Sequence, residues 1–593
     1  MTLGCGVMQR YIVVAEKRSV ARELFRVLRK HGVEATFASV SGHLMDCDLA
    51  ERFYKWRLSD LLDILDSKNT RLVVADGHSY KRLMKLFSST KDGILVVATD
   101  NDHEGELIGY ELLSVYRSVC GENAEFRRMR FNSLEEDELL RAWSGLERDL
   151  NWGWVNKAQL RRSFDLLTGA AFTRLLTLSV RRKVGETGVI SWGPVQSPSL
   201  KFLVDREKSI REFKPEKYWY LASVLRYGEW SFRARTGDLR SRPEAERLLG
   251  LASAAGRGVV RSYSEERVIV PRPFPARTDD SLRDLVKITG RSSYSLLGVM
   301  EGLYQNGYLS YPRTETNKYP EGFDFERRLH TVRGSKILSG AVLQSKPNPR
   351  NGRLSDGAHP PIYPTRLYEG AGLAGVVWEY FARRFVANAF TGDAVLVRQS
   401  AVFDVVGVEF RSSGRYLEEA GFFTVFPYFK PREERLPRMR DGDVLEVVEM
   451  RLVEEETRPP ERLSEAELLR VMEVNELGTD ATRPLYPSLL LRRGFITRNR
   501  GRLQPTQLGE GLIAALAQVD ERLVTPETRR TVERFMRSVE RGEESIDDAL
   551  SKALELYRPL LERCLKEVEI IGERLASHFS EGPMGGRRTP RGR

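Results

Sequence analysis

Three short, unbroken apolar runs constrain this chain most: Tyr11-Ile-Val-Val-Ala15, Leu72-Val-Val-Ala75 and Ile94-Leu-Val-Val-Ala98. None alternates apolar with polar, so each reads as a strand buried on both faces of a parallel sheet. A helical pattern from Ser19 to Lys30, stopped before Gly32, follows the first run. Another starts near Glu106 after the third and carries Leu107, Ile108, Tyr110, Leu112 and Leu113. Strands alternating with helices predict an α/β domain. Open sheets of this kind carry their sites beyond the C-terminal ends of the strands. Glu16-Lys17 stands there after the first run, and Asp100, Asp102 and Glu104 stand there after the third.

That placement suggests metal chemistry. In an extended turn, residues i and i+2 point the same way, so Asp100 and Asp102 can share a hard cation. Mg²⁺ takes one or two carboxylates and keeps its other positions for water and phosphate. An isolated acidic loop would more simply cap the helix that follows it. Four acidic groups at two strand ends, with a lysine beside one, favour the metal. His43, in Ser39-Val-Ser-Gly-His-Leu-Met45, follows another candidate strand; a lone histidine is more often structural than catalytic.

The rest of the chain changes texture several times. Helical patterns begin near Asn151 and carry Arg161, Asp165 and Arg174 at near-helical spacing, either a salt-bridged face or the wall of a phosphate-binding groove. Ser191-Trp-Gly-Pro-Val-Gln-Ser-Pro198 then opens a helix whose first amides and hydroxyls can hold phosphate. Short alternating segments fill Lys217–Val270 and return at Ala394–Phe429, two halves of one β-rich domain. The helical stretch between them is an insertion tethered at both ends, as suits a hinged lid. It contains Leu309-Ser-Tyr-Pro-Arg-Thr-Glu-Thr-Asn317, which follows an amphipathic pattern over Ser293–Tyr304 and an Asn306-Gly307 turn. A phenol such as Tyr311 can attack a phosphodiester if a cation such as Arg313 holds the phosphate and another group assists the leaving oxygen. The Pro-rich stretch around His359 could set that imidazole beside a phosphate or be a plain turn. The last third is helical again, with a small basic hairpin at Gly494–Pro505, and the tail 583–593 reads as basic and disordered.

Size and charge agree with several domains and a polyanionic partner. The chain has 593 residues, 41% hydrophobic, and a net charge of +11 from 94 basic and 83 acidic residues. Four scattered cysteines, Cys5, Cys47, Cys120 and Cys564, support neither a zinc ribbon nor structural disulfides. No apolar run reaches the roughly 20 residues of a membrane helix, and no signal-peptide pattern opens the chain. A cytoplasmic, nucleoid-associated, monomeric protein with no membrane partner is expected.

Taken together, these motifs resemble the type IA DNA topoisomerases from about residue 10 to 570, most closely the topoisomerase III branch of archaea and eukaryotes. The resemblance rests on Glu16-Lys17, Ser39–Met45, Val97–Ile108, Asp165–Arg174, Gly193–Pro198, Leu309–Asn317, Ala358–Ile362 and Gly478–Arg483, eight motifs in family order. It implies an α/β multidomain fold: a toprim domain (1–150), a helical gate (151–213 and 441–582), a β-rich hinge (214–275 and 389–440) and a tyrosine domain (276–388), forming a four-domain toroid. It also implies a catalytic set. Tyr311 would become linked to a DNA 5′-phosphate, Arg313 and His359 would hold the phosphate, and Lys17 with Glu16 would serve the leaving 3′-oxygen. Glu16, Asp100, Asp102 and Glu104 would hold Mg²⁺. His43, Arg128, Arg161, Asp165, Arg174, Gln196, Ser197, Thr482 and Arg483 would line a groove for single-stranded or locally unwound DNA. RNA is carried as a second substrate, since no pattern excludes a 2′-hydroxyl. No Walker A pattern is present, in keeping with a covalent bond that stores the phosphodiester energy without ATP. Pro194 stands where bacterial members carry arginine, which leaves one phosphate contact to be supplied elsewhere. Two other readings compete: a toprim nuclease or primase, which uses the carboxylates but not Tyr311, and a non-catalytic single-strand clamp, which needs neither.

Overall fold

The structure, a computed structural model, describes residues 10–338 and 343–578; the tail 583–593 and Cys5 lie outside them. Along the first part of the chain run β1 (Tyr11–Ala15), α1 (Arg18–Lys30), β2 (Ala35–Ser39), β3 (Met45–Leu49), the four-residue α2 (Leu61–Ile64), β4 (Thr70–Val74), α3 (Gly77–Ser89), β5 (Ile94–Ala98), α4 (His103–Cys120), β6 (Phe126–Arg128) and α5 (Glu136–Ser144). Four strands pair in parallel in the order β2-β1-β5-β6. Alternate residues of the central strands enter opposite cores. Ile12, Val14, Leu95 and Val97 pack under α3 and α4, while Val13, Ala15, Val96 and Ala98 pack under α1 and α5. That two-sided burial is why both runs are continuously apolar.

The run at Leu72–Ala75 departs from expectation. β4 pairs antiparallel with β3 in a separate two-stranded ribbon, and Leu72 and Val74 are 56% and 45% exposed. The connection from β3 carries only short helical turns, not the long crossover helix that a parallel return requires. Its place in the sheet is taken by β2 and β6.

The chain continues through α6 (Trp152–Val184), α7 (Gln196–Arg211), β7 (Lys217–Tyr227), β8 (Trp230–Arg235), α8 (Arg242–Ser253), β9 (Arg257–Val270), α9 (Thr278–Thr289), α10 (Ser293–Gln305), α11 (Phe325–Arg333) and α12 (Gly372–Phe390). Then come β10 (Ala394–Val405), β11 (Val408–Glu419), β12 (Val444–Glu456), α13 (Glu465–Val474), α14 (Tyr486–Arg492), β13 (Ile496–Asn499), β14 (Arg502–Pro505), α15 (Gln507–Val519), α16 (Pro526–Glu540), α17 (Ile546–Lys566) and α18 (Val568–Ala576).

Six strands close a barrel in the order β10-β11-β8-β7-β12-β9. The two expected β-rich halves therefore meet, but β12 lies beyond residue 440, inside the stretch assigned to the helical gate. It pairs with β7 from Glu446↔Arg226 to Glu456↔Lys217. Its acid-rich alternation does not show which non-local partner will claim it; barrel closure does. Two helical cores flank the barrel. One gathers α9, α10 and α12 around the Tyr311 segment; the other gathers α6, α7 and α14–α18. Helix α13 serves both, with Ala466 and Leu469 in the first and Leu468 and Met472 in the second.

Candidate active site

The sheet supplies one wall. β1 and β5 are neighbours in register, Ala15 opposite Ala98, so their C-terminal ends bring Glu16-Lys17 and Asp100 together. Lys17 Nζ donates to Glu16 Oε1 at 2.7 Å and to Asp100 Oδ2 at 3.2 Å. Asp102 is the N-cap of α4, its Oδ1 accepting from the Gly105 amide at 2.7 Å. The simple capping reading of this loop is thus correct for one oxygen, and the other stays available. The loop is tight: a Cβ on Gly105 would lie 2.0 Å from the Asp100 carbonyl oxygen, so only glycine fits.

The opposite wall comes from the tyrosine domain. Helix α10 is capped by Ser292 and ends at Asn306, and Gly307, at φ +74°, turns the chain back. Ser310 N then donates to Tyr363 O at 3.0 Å, fixing the next residues against the Pro-rich stretch. Tyr311, 3% exposed, donates its hydroxyl to Asp102 Oδ2 across the domain boundary. His359 stacks on the Tyr311 ring at 4.8 Å between centroids. Its Nδ1 meets Asp356 Oδ2 at 3.0 Å, and the imidazole is buried. Asp356 also accepts from Thr314 Oγ1 at 3.0 Å, tying the two loops together. Arg313 lies between two carboxylates, Nε at 2.9 Å from Glu301 Oε1 and Nη1 at 4.0 Å from Asp102 Oδ2. Tyr304 sets its ring edge-on to Tyr311 at 5.2 Å and donates to Asp100 Oδ1 at 3.2 Å. The Tyr311 amide donates to Asn132 O of the sheet domain at 2.7 Å, and Asn132 Nδ2 to Ala358 O at 3.1 Å.

The electrostatics describe a poised resting state. Burial, then repulsion from Asp100, pushes Glu16 up to about 7, against the pull of Lys17. Burial works against the Lys17 charge, but Asp100 and Glu16 outweigh it and raise its pKa. Burial would likewise raise Asp102, yet the Arg313 charge and the Tyr311 hydrogen bond hold it below the usual carboxylate range. Burial, with the Asp102 charge next, drives the Tyr311 phenol well above its ordinary value. Tyr311 therefore keeps its proton here. Burial opposes the His359 charge, and Asp356 overrides it.

The donor chemistry fits a hard divalent cation. Glu16, Asp100 and Asp102 are three mutually repelling, largely buried carboxylates beyond the ends of β1 and β5, hard oxygen donors of which Mg²⁺ takes one or two beside water and phosphate. Glu16 and Asp100 flank Lys17, while Asp102 faces Tyr311 and Arg313; among the described residues, no three His, Cys, Asp or Glu side chains are arranged around a common point. Glu104 does not join them. It lies 3.0 Å from His43 Nε2, whose Nδ1 meets Glu111 at 2.9 Å. These two carboxylates, against the cost of burial, raise His43 to about 10.

Several residues expected to touch DNA belong to the framework instead. Arg128 is fully buried, donating to Glu106 at 2.7 Å and to the carbonyls of Val97, Thr99, Asp100 and Met129. Arg174, 8% exposed, donates to Phe53 O at 2.5 Å and lies over Trp56. Gln196 binds Ser191 O at 3.0 Å, and Ser197 is wholly enclosed. Arg483 pairs with Asp279 and donates to the carbonyls of Leu477 and Gly478. In each case motif spacing identified an important residue but not the direction of its side chain. Thr482 Oγ1 accepts from the Thr479 amide at 2.9 Å. Arg161 and Asp165 tie α6 to α16, pairing with Glu533 at 3.6 Å and Arg529 at 2.6 Å. Sequence reasoning missed Tyr304 and Glu301, although both lie on the amphipathic helix before Tyr311, and Asp356, three residues before His359.

Comparison with known proteins gives the family and the fold. One family profile, described as DNA topoisomerase, matches residues 149–551, and another, described as Toprim domain, matches residues 11–134. DNA topoisomerase 1 of Archaeoglobus fulgidus is 30% identical over 599 residues, covering 96% of this chain and 88% of its own. DNA topoisomerase 3-beta-1 of Homo sapiens is 30% identical over 623 residues, covering 97% and 71%. A solved structure of full-length topoisomerase I from Thermotoga maritima matches with a TM-score of 0.73 at 21% identity, over 93% of this chain and 90% of that one, a likeness of fold.

Proposed function

The chain belongs to the DNA topoisomerases, in the type IA class that joins a toprim domain to a tyrosine-bearing gate, and from that premise we propose how its residues divide the reaction. The enzyme cuts one DNA strand, passes another through the break and reseals it without ATP, relaxing or decatenating DNA. Its toprim domain is a divalent-metal-binding fold.

In the proposed cleavage step, Tyr311 Oη attacks the scissile phosphorus. A tyrosyl O–P bond forms, the P–O3′ bond breaks, and the electron pair leaves with the 3′-oxygen. Lys17, held charged by Asp100 and Glu16, gives that oxygen its proton. Asp102 accepts the phenol hydrogen bond and aims Oη; as the O–P bond forms, the phenol's proton passes to solvent water. Arg313 and His359 face the charge that develops on the phosphate. Glu16, Asp100 and Asp102 would hold Mg²⁺, which supplies positive charge to align the scissile phosphate and the 3′-hydroxyl; Glu104, engaged with His43, is left out. Resealing reverses these transfers. Arg161 and Asp165, with His43 and Thr482, contact the single strand. RNA as a second substrate, action as a monomer and a cytoplasmic location at the nucleoid complete the reading, the last supported by the net charge of +11.

The observation that carries this reading is the hydrogen bond from Tyr311 to Asp102, made beside a lysine that bridges Glu16 and Asp100. A nuclease has no use for that tyrosine, and a clamp has no use for either wall. The test is covalent trapping: single-stranded DNA labelled separately at each end is mixed with protein and rapidly denatured. Label from the 3′-side fragment should remain on the protein, vanish in Tyr311→Phe, and leave strand affinity within a few-fold. Cleavage without attached protein would refute the phosphotyrosine.

A further inference from the structure

The toprim sheet has an open slot at its β2 edge, remote in chemistry from Tyr311. β2 is the outermost strand. Val40 N donates to Ala15 O at 3.0 Å, which sets the phase of the ladder. In a parallel pair a residue's N–H and C=O point the same way, so Thr36 and Ala38 face β1 while Ala35, Phe37 and Ser39 face outward. The Ser39 carbonyl accepts from Arg82. Among the described residues, no side chain bonds the outward groups of Ala35 or Phe37.

Helices α1 and α3 overhang this edge from opposite faces of the sheet and leave a slot of about 560 Å³. Its shelves are apolar: Ala21 and Phe25 on α1, Leu83 and Leu86 on α3. Phe25 is 40% exposed even though it packs edge-on against Phe37 at 5.5 Å. Arg18, Arg22 and Arg82 ring the slot, and among the described residues no acidic one lines it. Exposed edges are normally shortened, covered or charged to prevent stray pairing. Here the charge has one sign, which repels basic chains and attracts acidic ones.

We propose that this slot docks an extended acidic segment of a protein partner, which adds beside β2 as a fifth strand. The partner's backbone completes the outward ladder of Ala35 and Phe37, its apolar side chains rest on the Phe25 and Leu86 shelves, and its carboxylates meet the three arginines. A nucleic-acid strand would use the arginines but has no complement for a row of alternating N–H and C=O groups.

The test uses the full chain and a fluorescent peptide of about ten residues built from the repeat Glu-Glu-Val-Val, which sets glutamates and valines on both faces of the added strand. Saturable binding is expected, weakened roughly tenfold by Arg22→Glu combined with Arg82→Glu. Ala35→Pro should weaken it to a similar degree without changing charge, because it removes one outward N–H at a strand start where proline is tolerated. Peptide should slow hydrogen exchange at the Phe37 and Ser39 amides, while both variants relax DNA at the rate of the unaltered chain, showing that they fold. The proposal is overturned if the peptide does not bind saturably, if neither variant weakens it, or if oligothymidylate rather than peptide protects those amides.

Discussion

Arg128 and Arg313 carry the same guanidinium into opposite duties. Arg128 has no exposure and is held by Glu106 and four carbonyls, so it braces the loop that aims Asp100. Removing it takes from Glu106 one of its two guanidinium partners, leaving Arg130 at 2.6 Å, and takes a buried donor from four carbonyls. Arg128→Ala should therefore cost about 3–5 kcal/mol, seen as a lower denaturant midpoint for the toprim domain, with no loss of DNA affinity in the fraction that stays folded. Arg313 is instead held at the site's mouth by Glu301. Glu301→Ala should leave single-strand binding intact and lower the rate of covalent adduct formation roughly tenfold, because a misaimed cation stabilises the transition state poorly. Equal rates in the two proteins would show that Glu301 does not aim Arg313.

Among the elements, the junction of α9 with α13 is where the tyrosine domain meets the helical gate. Arg277 and Arg283 both reach Glu473, and Arg483 reaches Asp279. Beside these pairs, burial, followed by repulsion from Glu315 and Asp279, raises Asp480 to about 7. An acid whose folded pKa exceeds its unfolded value binds more protons when folded, so stability falls as pH rises from about 4 to about 7 and then levels off. The junction should accordingly loosen over that window. Asp480→Asn should raise the thermal midpoint at pH 8 and leave it nearly unchanged at pH 4. A variant equally stabilised at both would place the effect outside this titration.

At the scale of the whole molecule, the site exists only while two domains touch. Tyr311 meets Asp102, Tyr304 meets Asp100, and Arg327 and Arg328 meet Asp137 and Glu135 across one boundary. Strand passage requires that boundary to part. A disulfide between Asn132→Cys and Ala358→Cys, positions already in contact, should permit cleavage of a short single strand yet abolish relaxation of supercoiled DNA, with relaxation restored by reductant. Relaxation that persists with the bond intact would mean that the passage route lies elsewhere.

Local chemistry carried a large part of this protein into its sequence. The continuous apolar runs at β1 and β5 announce a doubly covered sheet because both faces of those strands are buried. The capping carboxylate and obligatory glycine at Asp102 and Gly105 announce a strand-end loop, and the Tyr-Pro-Arg stretch announces a nucleophile with its cation. All of these depend on neighbours a few residues away. The remainder depends on partners hundreds of residues distant, which periodicity does not encode. Nothing local distinguishes β4 in a ribbon from a strand in the sheet, or tells that β12 closes the barrel. Arg128 and Arg483 read as phosphate ligands until the fold encloses them among carbonyls. Asp102 could cap a helix, bind a cation or accept from a phenol, and it is the docking of the tyrosine domain that makes one of its oxygens a cap and the other the partner of Tyr311.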